Sequence, residues 1–151
     1  MQKTSLIYVE QDGKYLMLHR VSKKNDPNHD KWIGVGGKFE PGETAQECAK
    51  REMLEETGLT ALSLEYRGIV DFYCDVATDE EMHLFTCTRF SGTIQPCDEG
   101  VLEWVEKTRV NELHLWEGDK IFLKLLAEDA PFFHLELKYE GDRLASSKML
   151  P

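Results

Sequence analysis

The sequence predicts an α/β fold in which a mixed β-sheet lies between helices, and three observations carry that prediction. Strand-type and helix-type segments alternate along the chain instead of segregating into halves. An Asp12-Gly13 pair sits between two alternating apolar runs, the strongest short-range signal for a β-hairpin. With 151 residues and no low-complexity linker or internal repeat, the chain is long enough to bury a sizeable core as one domain spanning 1–151.

The first segment, SLIYVEQDGKYLMLHR, reads as two strands around that turn. Residues 32–38, WIGVGGK, read as a glycine-dense loop, where backbone can approach a ligand closely. Pro41-Gly42 marks a turn, and Thr44 followed three residues later by Glu47 forms a capping box that starts a helix. Gly58 ends it as a C′ glycine, with Leu59 as the apolar contact that follows. The helix therefore spans about 45 to 57. Segments 62–74 and 82–90 are rich in β-branched and aromatic residues and read as strands, separated by an acidic turn over Thr78, Asp79, Glu80 and Glu81. A short strand is expected at 102–105 and a helix at 119–128, with Ile121, Phe122, Leu125 and Leu126 at helical spacing. FFHLELKY, 132–139, reads as a last strand, with a turn at 140–142.

The helix at 45–57 carries the chemistry. At about 100° per residue, Ala45, Cys48, Ala49 and Met53 share one broad side, and Glu52, Glu55 and Glu56 fall in the same arc. Three carboxylates on adjacent turns repel one another, so keeping them together calls for a cation or shared protons. Mg²⁺ suits such a set: it takes oxygen ligands in an octahedron, keeps several waters and is completed by substrate phosphates. Mn²⁺ can substitute. Arg51 lies beside them and can fix a carboxylate by a two-pronged hydrogen bond.

Composition narrows the classes. A formal net charge of −10 argues against a duplex nucleic-acid surface, which needs clustered Lys and Arg. It leaves free nucleotides open, because a divalent cation inverts the local sign of an acidic site. There is no long apolar run and no basic segment leading into an apolar one, so a cytoplasmic protein that is not inserted in a membrane is expected, as a monomer or homodimer. Cys48, Cys74, Cys87 and Cys97 show no metal or disulfide spacing and read as free thiols.

Residues 37–59, GKFEPGETAQECAKREMLEETGL, match every fixed position of the Nudix box: Gly37, Glu43, Arg51, Glu52, Met53, Glu55, Glu56, Gly58 and Leu59. At an average usage of about 5 to 7% per residue type, a chance match to its seven invariant letters is on the order of one in a million. The resemblance implies the Nudix α/β/α sandwich with a central mixed sheet, and hydrolysis of a nucleoside diphosphate linked to another group. It implies Glu52, Glu55 and Glu56 as metal ligands, Glu52 also orienting and deprotonating the attacking water, and Arg51 holding Glu52. A carbonyl of Gly36 or Gly37 is a further ligand candidate. Glu99 stands where many members place a late carboxylate, with Asp98 its neighbour. Glu43, Gly37 and Gly58 are expected to support the loop and helix. Lys38 is either a phosphate contact or an exposed loop lysine.

The loop 32–38 and the stretch 115–119, LWEGD, resemble the MutT-type members that hydrolyse oxidised purine nucleoside triphosphates such as 8-oxo-dGTP to the monophosphate and pyrophosphate. That resemblance casts Trp32 and Trp116 as base-stacking residues or as packing residues, and Asp119 as a reader of the purine edge. Ile33 departs from the type, standing where a polar residue can occur. The alternatives are a Nudix pyrophosphatase acting on a nucleotide sugar or dinucleoside polyphosphate, and a nucleotide-sensing domain without turnover. No proline lies between Pro41 and Pro96, against the ADP-ribose type, and the complete glutamate set argues against a sensor.

Overall fold

The computed structural model describes all residues, 1–151. In chain order it contains β1 (Gln2–Gln11), β2 (Lys14–His19), β3 (Trp32–Ile33), α1 (Ala45–Thr57), β4 (Thr60–Cys74), β5 (Glu80–Ser91), β6 (Val101–Glu106), a 3₁₀ turn at Lys107–Glu112, α2 (Asp119–Ala127), β7 (Phe133–Glu140) and β8 (Arg143–Leu150). The sheet is mixed: β1 runs parallel to β5 and β4 parallel to β7, while the other pairings are antiparallel.

Alternation along β1 shows how the layers form. Leu6 and Tyr8 face one side, packing with Phe122, Leu123 and Leu126 of α2; Ile7 and Val9 face the other, packing with Ala49 and Met53 of α1. β2 repeats the pattern, with Tyr15 and Met17 toward α2 and Leu16 and Leu18 toward α1. A strand buried on both faces reads as a continuous apolar run, which is why YLML shows no polar alternation. The three-layer α/β/α expectation holds.

Local chemistry sets the ends of α1. The Thr44 hydroxyl accepts from Glu47 N–H at 3.1 Å and Thr44 N–H donates to the Glu47 carboxylate at 2.9 Å. Gly58, with φ 81°, sends its N–H to Leu54. The hairpin turn has positive φ at both Asp12 and Gly13, 52° and 75°, which matches the right-handed twist of its strands.

Three elements differ from expectation. Trp32 and Ile33 form a two-residue strand, because β2 offers Leu18 and His19 as partners. The acidic turn is shorter: Glu80 and Glu81 open β5, held between Phe72 and Asp71 of β4 and Gln2 and Lys3 of β1. The chain continues past the predicted last strand through a turn into β8, an exposed edge strand. The cysteines are free thiols, three of them buried. No helix is long and apolar enough to cross a membrane.

The sheet splits where the site lies. The outer edge of β1 pairs with β2 through Val9 to Gln11 only. Farther up, the segment after β3 takes that edge, with Ile7 bridging Val35 and Thr4 bridging Lys38. Residues 32–38 thus wedge between two diverging strands.

Candidate active site

Gly36 sits where the wedge presses on β1: a Cβ there would overlap the Ser5 carbonyl, so only glycine lets the loop seat. Gly37 serves a different purpose. Its missing side chain is the space occupied by the Glu52 carboxyl, which a Cβ would meet at 2.5 Å. The Gly37 carbonyl already accepts from Ser5 N–H at 2.8 Å, so of the two carbonyl candidates Gly36 is the one without a protein partner.

Arg51 organises the neighbouring carboxylates. It grips Glu43 with two parallel bonds of 2.7 and 2.9 Å, reaches Glu52 at 2.7 Å and Glu55 at 3.2 Å, and donates to the Lys38 carbonyl at 2.9 Å. Its hydrogen bonds hold the Glu43 carboxyl down at about 2, helped by Glu40 N–H. Glu43 therefore fastens the loop and helix through Arg51. Burial raises the Glu52 carboxyl while Arg51 pulls it back. Glu55, on the same arc, is at the exposed rim.

Glu56 has no such partner. It accepts one bond, from Gly36 N–H at 3.3 Å, and burial together with the adjacent Glu99 carboxylate pushes its pKa well up. Glu99 is met only by Arg20, at 3.2 Å, and Arg20 is shared with Asp26 at 2.8 Å. No three His, Cys, Asp or Glu side chains stand together as a group that could hold a metal in this arrangement, in which Arg51 engages Glu52 and Glu55. Two carboxyls without a cation between them, a third held by Arg51 and a fourth at the rim make an all-oxygen, open donor set. Mg²⁺, which keeps waters and takes phosphate oxygens, fits such a set better than a cation needing a full protein cage.

From these glutamates a single cleft of about 590 Å³ runs over the end of the sheet to the N-terminus of α2. Its mouth is lined by Gly36, Gly37, Lys38, Glu52, Glu56 and Glu99, and its far end by Phe72, Glu80, Trp116 and Asp119. The two cations on its lining, Arg20 and Lys38, complement phosphate.

The far end mixes aromatic and acidic groups. Trp116 stands edge-on to Phe72 and Tyr139, with centroids 5.1 and 5.0 Å apart. Lys31 Nζ covers one of its faces at 4.4 Å and the Asn28 side chain takes its Nε1–H at 2.6 Å. Asp119 is buried beneath, its carboxyl pushed up to about 8 by desolvation and pulled back in part by Lys31. Trp32 is not part of this cleft. Its ring stacks on His19 at 4.2 Å, and its backbone N–H donates to the His114 carbonyl.

The NUDIX domain model matches residues 2–127, most of the chain. The chain belongs to the Nudix hydrolase family. It is 30% identical over 138 residues to an oxidized purine nucleoside triphosphate hydrolase of Danio rerio, covering 91% of this chain and 86% of that one. The Mus musculus protein of the same name is 32% identical over 112 residues, covering 73% and 71%. Among solved structures, a mutator MutT protein from Bacillus halodurans superposes with a TM-score of 0.87 at 28% identity, covering 99% of this chain and 97% of that one. Nudix hydrolases generally use a divalent metal and act on small nucleotide substrates. β7 and β8 lie beyond the matched residues, yet β7 completes the cleft's sheet by pairing with β4.

The Nudix box accounts for Glu43, Arg51, Glu52, Glu55 and Glu56, but reading the sequence missed Arg20, Asn28, Lys31, Phe72 and Glu80. Phe72 had a signal in the alternation of β4. The other four are polar residues whose neighbours come from distant segments, and nothing local marks them.

Proposed function

We propose that this Nudix hydrolase is a Mg²⁺-dependent nucleoside triphosphate pyrophosphohydrolase that acts on oxidised purine nucleotides such as 8-oxo-dGTP, releasing the monophosphate and pyrophosphate. One observation carries the proposal: the adjacent carboxyls Glu56, which has no cationic partner, and Glu99, which shares Arg20 with Asp26, open into the same cleft that ends at Phe72, Trp116 and Asp119. The relatives named for oxidised purine triphosphates support the substrate class.

Glu56, Glu99, the Gly36 carbonyl and, from the rim, Glu55 would hold the cation, with Mn²⁺ able to replace Mg²⁺. When bound, the cation supplies positive charge to the phosphoryl oxygens and acidifies water. Glu52, set by Arg51, orients the attacking water and takes its proton. Lys38 and Arg20 bind phosphate oxygens. Trp116, packed edge-on to Phe72, would bound the base pocket, and Asp119 would meet a polar edge.

Product analysis tests this across 8-oxo-dGTP, dGTP, ATP, ADP-ribose and a dinucleoside polyphosphate, with Mg²⁺ and with chelator. Preferred turnover of 8-oxo-dGTP to monophosphate and pyrophosphate, abolished by chelator, is expected. Glu52→Gln should lower kcat by about a hundredfold or more while nucleotide binding and melting temperature stay near wild type. Best cleavage of ADP-ribose or the dinucleotide would discard the substrate, and an active Glu52→Gln would discard the role of Glu52.

A further inference from the structure

Glu80 is a carboxyl at the substrate end of the cleft that no box position explains. It opens β5, directly opposite Gln2 of β1 and Phe72 of β4. Strand alternation puts it on the face shared by Met82 and Leu84, the side on which Phe72 and Leu6 pack, and it lines the cleft. It makes no ion pair. Burial raises its pKa, while the Thr4 hydroxyl, Lys38 and Arg20 favour its charged form. A half-buried carboxyl that no ion pair holds is costly, and a strand start would be cheaper with almost any other polar residue.

Its position along the sheet limits what it can meet. The catalytic loop leans on β1 at Ser5, whereas Glu80 is level with Gln2, three residues away. At about 3.3 Å per residue that is roughly 10 Å along the strand. A phosphate held at the glutamates thus places the nucleoside, and not its polyphosphate, at Glu80. Asp119, from α2, bounds the same end of the cleft from another element.

We propose that Glu80 is a specificity-determining residue: with a purine lying over Phe72 and Asp119 at one edge, Glu80 meets the imidazole edge and selects purines whose N7 carries hydrogen. The proposal rests on the nucleotide reading above. Oxidation at C8 turns N7 from a lone-pair acceptor into an N–H donor. A carboxylate accepts from that N–H, whereas it faces the N7 lone pair of an unmodified purine with repulsion and no bond. Sites built around a buried polar group reject the ligand that leaves it unpaired far more strongly than an apolar pocket rejects a missing methylene.

The test compares kcat/KM for 8-oxo-dGTP, dGTP and 8-oxo-GTP in the wild type, Glu80→Gln and Glu80→Met, with melting temperatures as the folding control. The expected result is a wild-type preference for 8-oxo-dGTP over dGTP that falls at least about tenfold in Glu80→Met, with dGTP turnover kept or increased. Glu80→Gln, whose amide oxygen still accepts, should lie between. An unchanged preference in both variants overturns the assignment of Glu80 while leaving the proposed substrate intact. A shift in the ribose-to-deoxyribose ratio instead would place Glu80 on the sugar and overturn it equally. A wild type without preference for the oxidised base removes the substrate reading itself.

Discussion

Replacing Gly37 by Ala should separate catalysis from folding at a single atom. Gly37 does not have a positive φ, so its backbone accepts an L side chain without strain. The added Cβ would stand 2.5 Å from Cδ and Oε2 of Glu52 and 2.8 Å from Oε1, and no other atom is as near. Ordinary carbon contacts begin about 1 Å farther out. The flexible end of Glu52 must therefore retreat by about that much, which pulls it off the 2.7 Å bond to Arg51. Misplacing a catalytic group by about 1 Å costs on the order of a hundredfold in rate, or about 2.7 kcal/mol of barrier. The fold loses little, since the variant also gains about 0.4–1 kcal/mol from a less flexible unfolded chain. Steady-state kinetics by pyrophosphate release, beside thermal melts, should show kcat down about a hundredfold with a melting temperature within about 3 °C of wild type. A kcat within threefold of wild type would refute the contact. A collapse in melting temperature would show that backbone, and not the carboxyl, had yielded.

Three further outcomes are expected. Arg51→Lys keeps the charge but not the fork that serves Glu43, Glu52 and Glu55, so stability should fall by about 1.5–3 kcal/mol in urea titrations and kcat by at least about tenfold; near-wild-type values would mean that charge alone suffices. Thr44→Ala removes the capping box of α1 and should lower the melting temperature by about 2–4 °C with catalysis unchanged, which differential scanning fluorimetry and a single assay would check. Asp119→Asn should change the pH dependence of stability. The fold keeps its proton up to about pH 8, whereas the unfolded chain sheds it near the ordinary 3.8, so wild type loses stability as pH rises through that window, at up to about 1.4 kcal/mol per pH unit, and nothing below it. The Asn variant lacks that slope, and parallel stability curves for the two proteins between pH 4.5 and 7.5 would contradict the burial of an ionisable carboxyl.

The parts legible in the sequence are those whose causes are local. α1 runs over the predicted residues because Thr44, Glu47 and Gly58 act within a few positions of the ends they set. The first hairpin was readable because Asp12-Gly13 requires nothing from elsewhere. β8 was not, because RLASSKML lies on an exposed edge and has no apolar period to betray it. Glu80 and Glu81 looked like a turn because acidic pairs usually are one; strands β1 and β4 on either side override that preference. The same division runs through the site. The spacing of Glu52, Glu55 and Glu56 is written in one helix, but which of them lacks a partner depends on where Arg51 points, and the separation of Trp32 from the cleft depends on His19.

The parallel pairing of β1 with β5 also constrains how the molecule can form. Ser5 supports Gly36 and Gly37, yet its own strand is flanked by residues some eighty positions later, Val9 opposite Cys87 and Gln2 opposite Glu80. Parallel strands admit no short turn, so this contact waits for the closure of a long loop. The β4–β5 hairpin and the capped α1 can form early from near neighbours, while β1 docks late. During synthesis, the loop that frames the glutamates has no finished platform until β5 has been made. A chain interrupted before Cys87 would therefore carry the whole Nudix box, fully translated and correctly spelled, while the strand that seats it still lacked its parallel partner.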